Sequence, residues 1–134
     1  MTDLAEKRNI VLGLTGSVAV YKSIELARLL VTNGYNVRCV MTEGAQKFIT
    51  PMMLESVTGN TVTSDFWDKG AGGGIEHIEL SDWADVLVIA PATADVIAKL
   101  AHGFSDSPLL AVALATRAPI LVAPAMNVNM FEHQ

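Results

Sequence analysis

The sequence has few of the residues that cross-link a chain or attach it to nucleic acid. Cys39 is the one cysteine in 134 residues, which excludes an intramolecular disulfide and a thiolate zinc cluster and fits a reducing cytoplasm. Nine basic residues are scattered against fourteen acidic ones, so no basic run favours nucleic acid. No apolar stretch reaches the length of a membrane span. The three histidines are dispersed, without the spacing of metal ligands.

Apolar residues, by contrast, are abundant. They make up 51% of the chain, and charged residues make up 17%. A chain of this length can bury roughly two thirds of its unfolded surface, so we expect a single domain over residues 1–134. The apolar excess predicts elements that are covered on both faces, or a surface that packs against other subunits.

Short β-branched runs alternate with helical patterns along the chain. Strands are predicted at 9–14, 36–41, 86–90 and 120–123, with a weak one at 61–63. Helical segments are predicted at 20–32, 42–48, 50–58, 93–103 and 108–116. A loose arm is predicted at 1–8, a glycine-rich loop at 68–74 and an alternating segment at 75–80. This order predicts β-α-β crossovers and a parallel sheet that is covered by helices on both faces.

Parallel sheets bind ligands at the carboxyl ends of their strands, so the loop after the first strand is the first candidate. Gly16 permits a tight turn into the helix, and Ser17 offers a hydroxyl beside free amides that favour an anion. The loop lacks the Gly-Lys-Ser/Thr ending of a Walker loop, and Ala19 replaces the third glycine of the dinucleotide fingerprint. A phosphate site and an ordinary turn both remain open.

The loops after the second and third strands leave similar alternatives. Glu43 could hold a ribose hydroxyl of NAD, Thr42 could bond a phosphate or ribityl group, or Thr42 could simply cap the following turn. Small residues at 90–95 would let a flat ring or a sugar chain approach the backbone. Thr93 there could cap its helix, bind a ligand, or do both.

Two further side chains could carry chemistry. In the alternating segment 75–80, His77 shares the face of Ile75 and is partly buried if Ile75 faces the core. It could act as a general acid or base there, or be structural. Asn127 follows the last strand, and its amide could bind a carboxylate, although asparagine is also a common loop residue.

Four segments together resemble one family. They read GLTGSVA at 13–19, IEHIELS at 75–81, APATAD at 90–95 and PAMN at 124–127. In this order they are similar to the homo-oligomeric flavin-containing cysteine decarboxylases, and the likeness runs from Ile10 to Met130. The resemblance implies a Rossmann-like (flavodoxin-like) three-layer α/β fold, FMN as cofactor in place of NAD, a cytoplasmic small-molecule enzyme, and trimers or trimer-based assemblies.

The resemblance also implies residue roles. His77 would be the active-site histidine, and Asn127 would hold the substrate carboxylate. Decarboxylation of 4'-phosphopantothenoylcysteine to 4'-phosphopantetheine would proceed through oxidation of the thiol-bearing carbon, loss of carbon dioxide and a final reduction. The residues that would contact FMN are Gly16, Ser17, Val18, Thr42, Thr93, Ala94, Asp95, Val96 and Ala125.

One departure from the family concerns a substrate-covering flap. Relatives carry a cysteine on that flap for the reductive half of the reaction, whereas this sequence has only Cys39, in a predicted strand. We therefore expect either a truncated piece or a partial reaction. Two alternatives remain: a peptidyl-cysteine decarboxylase of the lantibiotic type, and a non-catalytic FMN-binding regulatory flavoprotein. A flavin prenyltransferase would not use this histidine and asparagine.

Overall fold

A computed structural model describes residues 6–66 and 75–134. The glycine-rich loop predicted at 68–74, and most of the arm predicted at 1–8, lie outside the described residues. The predicted strands are confirmed to within two residues at each end. They are β1 (Asn9–Leu14), β2 (Asn36–Met41), β3 (Val86–Ala92) and β4 (Ile120–Pro124). The weak strand predicted at 61–63 is reduced to a single bridge between Thr63 and Val40.

Helices connect these strands. They are α1 (Tyr21–Thr32), α2 (Pro51–Thr58), α3 (Glu76–Trp83), α4 (Ala94–Ala101), α5 (Pro108–Ala115) and α6 (Val128–Phe131). Single 3-10 turns occupy Val18–Val20 and Ala45–Lys47. Glycine after a helical pattern predicts a helix end, and Gly34 and Gly59 confirm this with positive φ angles of 89° and 72° at the ends of α1 and α2.

The four strands form one parallel sheet in the order β2-β1-β3-β4. Leu12 in β1 stands beside Cys39 on one side and Val88 on the other. From β1 the chain first moves outward to β2 and then returns to the opposite side to form β3. The point where the order reverses is therefore the crevice between the carboxyl ends of β1 and β3, where open α/β sheets bind ligands.

Side chains alternate across the sheet and divide the core into two layers. Leu12 and Leu14 pack with α1 and α2 on one face, whereas Val11 packs with α3, α4 and α5 on the other. A Cβ on Gly13 would lie 2.5 Å from a methyl carbon of Leu109, so this glycine makes room for α5. The predicted three-layer architecture is confirmed.

One detail of the helix predictions was wrong. The helical periodicity predicts Val31 on the apolar face of α1, but Val31 is exposed. Ser23 is buried, and its hydroxyl donates a hydrogen bond to the carbonyl of Ala90. The pair Thr50-Pro51 predicts Thr50 as the cap of α2, and Thr50 does occupy that position, although its side chain makes no capping hydrogen bond.

The alternating segment predicted at 75–80 was also wrong, since these residues begin helix α3. Ile75 is exposed, and Leu80 and Ser81 are the buried residues. The Ser81 hydroxyl donates to the carbonyls of His77 and Val112, which ties α3 to α5. Six alternating residues are too few to distinguish a strand from a helix when tertiary packing decides.

The last strand, β4, forms one edge of the described sheet. Its consecutive side chains Ile120, Leu121 and Val122 are exposed by 41%, 55% and 37%. Consecutive residues of a strand point to opposite faces, so both faces of β4 are uncovered here. Among residues 6–66 and 75–134, no helix has the length and the apolar content needed to cross a membrane.

Candidate functional site

A cavity of about 1140 Å³ opens at the carboxyl ends of the strands, over the crevice between β1 and β3. Its walls come from the loops after all four strands and from the first turns of α4 and α5. Both polar and apolar groups line it. The lining residues are Gly16, Ser17, Thr42, Glu43, Gly44, Gln46, Ser64, Asp65, Phe66, Thr93, Ala94, Asp95, Val96, Lys99, Asp106, Ser107, Pro108, Leu110, Ala125, Met126 and Met130.

The loop after β1 presents hydrogen-bond donors at one end of this cavity. The Ser17 hydroxyl oxygen accepts from the amide of Ala19 at 3.2 Å, which leaves the hydroxyl proton available to a ligand. The amide of Gly16 has no acceptor among the described residues, and Gly16 lines the cavity. Free amides and a hydroxyl at the start of a helical segment form an anion site.

Close backbone contact between two loops shapes this end of the cavity. A Cβ on Gly16 would lie 3.0 Å from the backbone carbons of Gly44, and a Cβ on Gly44 would lie 3.2 Å from Cα of Gly16. Gly44 follows β2, and its carbonyl accepts from the amide of Lys47. A side chain at either position would push the loops after β1 and β2 apart by a few tenths of an ångström.

The starts of α4 and α5 form another part of the cavity wall. Thr93 caps α4 by accepting from the amide of Val96, and Ser107 caps α5 in the same way. Lys99 joins the two helix starts, since its Nζ lies 3.4 Å from Asp95 and 3.2 Å from Asp106. The hydrogen bond to Asp106 raises the pKa of Lys99.

Thr42 and Ala125 fix the remaining loops by their backbone amides. The Thr42 amide donates to the Leu14 carbonyl at 3.0 Å, and the Ala125 amide donates to the Ala92 carbonyl at 3.0 Å. The Thr42 hydroxyl also accepts from the amide of Ala45, so it caps the turn that follows. All four strand ends are therefore held by backbone hydrogen bonds at one edge.

The structure brings together most residues that the resemblance assigned to FMN. Val18 follows the lining residue Ser17 in sequence but does not line the cavity itself, and it is 70% exposed. The assigned residues that do line the cavity are Gly16, Ser17, Thr42, Thr93, Ala94, Asp95, Val96 and Ala125.

His77 stands next to the cavity wall and is not part of it. It lies in the first turn of α3 and is half-buried, and its ring meets the edge of Phe66 at a centroid distance of 5.8 Å. Phe66 lines the cavity. The chain runs from α3 into β3 at the amino edge of the sheet, so the first turn of α3 lies toward the carboxyl edge, on the same side as the cavity.

Asn127 lies at the same edge, three residues after the end of β4, between the lining residues Met126 and Met130. Its side-chain oxygen accepts from the amide of Asn129 at 2.8 Å and caps α6. Because the oxygen is used by the cap, the side-chain NH₂ group is left as a donor. The side chain is exposed.

Several cavity residues were missed by sequence reasoning. Gly44 had a signal, because it follows a strand end as Gly16 does. Phe66, Lys99 and Asp106 carried no comparable pattern, since they reach the cavity only through tertiary packing. Thr15 does not line the cavity, but it lies next to Gly16 and is fully buried, which its place in a predicted turn does not indicate.

Cys39 and the acidic residues offer no alternative centre. Burial raises the pKa of the Cys39 thiol to about 12, so this cysteine is a neutral core residue at physiological pH and not a nucleophilic thiolate. Within 6–66 and 75–134, no group of three or more potential ligands is placed to hold a metal ion.

The family model described as Flavoprotein matches residues 2–134. The chain belongs to this flavoprotein family. Among curated relatives, the coenzyme A biosynthesis bifunctional protein CoaBC of Vibrio cholerae is 45% identical over 133 residues, which are 99% of this chain and 33% of that protein. The CoaBC protein of Bacillus subtilis is 42% identical over 130 residues, 97% of this chain and 32% of that protein. The chain thus spans about a third of the length of these relatives.

Solved structures of the family share the fold described above. The FMN-dependent cysteine decarboxylase SpaF superposes with a TM-score of 0.86 at 41% identity, over 96% of this chain and 73% of that one. A mutant PPC decarboxylase complexed with pantothenoylaminoethenethiol gives a TM-score of 0.81 at 35% identity, over 96% of this chain and 72% of that one.

Proposed function

We propose that this chain binds FMN and decarboxylates 4'-phosphopantothenoylcysteine to 4'-phosphopantetheine, on the route to coenzyme A. The observation that carries the proposal is the cavity at the reversal point of a sheet in a flavoprotein-family fold. The named activities of the CoaBC relatives and of the PPC decarboxylase structure support the choice of substrate. Such a role would place the chain in the cytoplasm.

The residues present fit FMN. The cavity of about 1140 Å³ exceeds the size of most small-molecule sites, about 300–1,000 Å³, and so has room for a cofactor with part of a substrate. The contact between Gly16 and Gly44 makes a cradle that a Cβ would fill. Donors rather than carboxylates line the loop after β1, as a phosphate requires.

In this proposal, the loops at the strand ends bind different parts of FMN. The amide of Gly16 and the hydroxyl of Ser17 hold the phosphate, while Thr42 and the start of α4 hold the sugar chain and ring. FMN, when bound, supplies the two-electron chemistry that turns the carboxylate into a leaving group. The protein's part is to bind the substrate, orient it and exclude water from the carbon that loses carbon dioxide.

We assign proton transfer at the substrate thiol to His77. An imidazole can take the thiol proton and later return one to carbon. Its place beside Phe66 at the wall supports this assignment, and small motions of side chains suffice to bring such groups to a bound substrate.

We propose that the side-chain NH₂ group of Asn127 binds the substrate carboxylate. An amide donor orients the carboxylate without the ion pair that would stabilise it against leaving. The cap made by its oxygen aims the NH₂ group away from α6.

The direct test of the function is carbon dioxide release from 4'-phosphopantothenoylcysteine by the FMN-loaded protein. Release with formation of 4'-phosphopantetheine is expected. Tight FMN binding without release would favour a regulatory flavoprotein, and absence of FMN binding would overturn the proposal.

A second candidate is favoured by the likeness to SpaF, a structure named as an FMN-dependent cysteine decarboxylase. This candidate acts on the C-terminal cysteine of a peptide. Peptides ending in cysteine, assayed beside the small substrate under the same conditions, distinguish the two by the ratio of their kcat/KM values.

Asn127→Asp is expected to raise KM for the substrate while flavin binding stays unchanged. Aspartate keeps the oxygen that caps α6 but replaces the donor by a negative charge that repels a carboxylate. A hydrogen bond to a charged group contributes about 1.5–3 kcal/mol, so kcat/KM should fall by roughly 10- to 100-fold. Steady-state kinetics measure this change.

Asn129→Asp is the matched control, since it introduces the same charge on an exposed residue of the same helix. Its kinetics should equal those of the unmodified chain. Equal losses in both variants would contradict a specific role for Asn127.

We further propose that copies of this chain associate, as trimers or trimer-based assemblies. The apolar excess of the sequence and the uncovered faces of β4 support association. Leu121→Lys is expected to lower the mass measured by light scattering after gel filtration, because it places a charge in the exposed apolar strand. FMN binding should not change, since Leu121 lies outside the cavity lining. An unchanged mass would contradict a contribution of β4.

A further inference from the structure

Thr15 joins the two loops that meet at the reversal point of the sheet. It follows β1 directly and is fully buried, with 0% of its surface exposed. Its hydroxyl donates to the carbonyl of Pro91 at 2.5 Å and accepts from the amide of Thr93 at 3.0 Å. One side chain thus satisfies a backbone carbonyl near the carboxyl end of β3 and the backbone amide of Thr93, which directly follows β3.

These two hydrogen bonds connect the loop after β1, which contains Gly16 and Ser17, to the end of β3 and the start of α4. Thr15 precedes Gly16, and Thr93 caps α4. Gly16 and Thr93 both line the cavity. A second buried hydroxyl, that of Ser23, donates to the neighbouring carbonyl of Ala90 at 2.7 Å, so two consecutive carbonyls at the carboxyl end of β3 accept from buried side chains.

The function proposed above does not use Thr15, because its side chain is buried beneath the lining. The bonds nevertheless fix the width of the crevice, since hydrogen bonds keep donor and acceptor near 3 Å and lose strength quickly beyond that distance. Without the hydroxyl, the buried Pro91 carbonyl and the part-buried Thr93 amide would both lose their partner, and an unsatisfied buried polar group destabilises the local structure.

We propose that Thr15 is a positioning residue for FMN. It holds the loop after β1, which contains Gly16 and Ser17, at the distance from Thr93 that the cofactor requires. This inference rests on the proposed FMN function. Thr15→Val keeps the shape and removes both hydrogen bonds, whereas Thr15→Ser keeps the hydroxyl. FMN dissociation constants, measured by quenching of flavin fluorescence, are expected to rise at least tenfold in the valine variant and by less than threefold in the serine variant.

The matched control is Val37→Ala, which removes methyl groups from a buried residue near the amino end of β2. It should lower Tm and leave the FMN dissociation constant unchanged. Equal FMN affinity in Thr15→Val and the unmodified chain would overturn the inference. So would equal losses of affinity in Thr15→Val and Val37→Ala, because the effect would then follow stability alone.

A measurement on the flavin-free chain separates this inference from the proposed function. Hydrogen exchange of the Thr93 amide should be slow in the unmodified protein and become fast in Thr15→Val, with no change in Val37→Ala. If the unmodified chain binds no FMN, the proposed function fails and exchange still tests the link. Fast exchange of this amide in the unmodified chain would overturn the inference even if the valine variant does not fold.

Discussion

Replacing His77 with asparagine is expected to reduce carbon dioxide release by about 10²- to 10⁴-fold, the range that a general acid or base contributes. Flavin should remain bound, because His77 lies beside Phe66 and outside the loops that line the cavity. Asparagine retains a polar side chain of similar reach but cannot exchange a proton near neutral pH. The measurement is single-turnover release of carbon dioxide, with the flavin content of each sample determined by absorbance.

His102→Asn is the control for this experiment. His102 is exposed at the end of α4, away from the cavity lining, so its replacement should leave both the rate and the flavin content unchanged. Full activity in the His77 variant would make that histidine structural. A loss of flavin together with activity would assign it to cofactor binding.

Gly16→Ala is expected to weaken FMN binding by at least about tenfold, which corresponds to about 1.4 kcal/mol. The new methyl carbon would lie 3.0 Å from the backbone of Gly44, so the loops after β1 and β2 must separate. That movement takes the free amide of Gly16 away from the place where the phosphate binds. Fluorescence titration with FMN measures the loss.

The reciprocal variant, Gly44→Ala, meets Cα of Gly16 at 3.2 Å and should weaken binding in the same direction. Gly59→Ala is the control for stability. Gly59 has a φ of 72° and open space around it, so alanine there strains the end of α2 without touching the cavity. Weakened FMN binding in Gly59→Ala as large as that in Gly16→Ala would contradict a local effect.

The sheet was predictable because its strands are short, apolar and bounded by turn residues. Asn9–Leu14 and Asn36–Met41 were predicted with their observed bounds. Strand β3 ends at Ala92, two residues beyond the predicted end at Ala90. Proline within a run of strand residues is typical of a strand end, and Pro91 therefore led to the shorter prediction. Gly34 and Gly59 marked helix ends correctly, since each takes a positive φ that favours glycine.

Helix α3 could not be predicted because its local pattern and its packing disagree. Ile75 and Ile78 are the apolar residues at the start of this segment, but both are exposed. What fixes the helix is distant in sequence: the carbonyl of Val112 accepts from Ser81, and Glu76 accepts from the hydroxyl of Thr63.

The loops that form the candidate site could be predicted from the sequence, but the contacts between those loops could not. A rule about strand ends led to Gly16, Thr42 and Thr93. The contact between Gly16 and Gly44 could not be foreseen, because it depends on two loops that only the order of the strands brings together. The wall formed by Lys99 and Asp106 has the same origin.

The central claim is that the crevice between β1 and β3 is a flavin site, and titration of the purified chain with FMN tests it most directly. Saturable quenching of flavin fluorescence at one FMN per chain, with no competition from excess NAD, is the expected result. A chain that leaves FMN fluorescence unchanged, or that binds NAD in its place, would contradict this account.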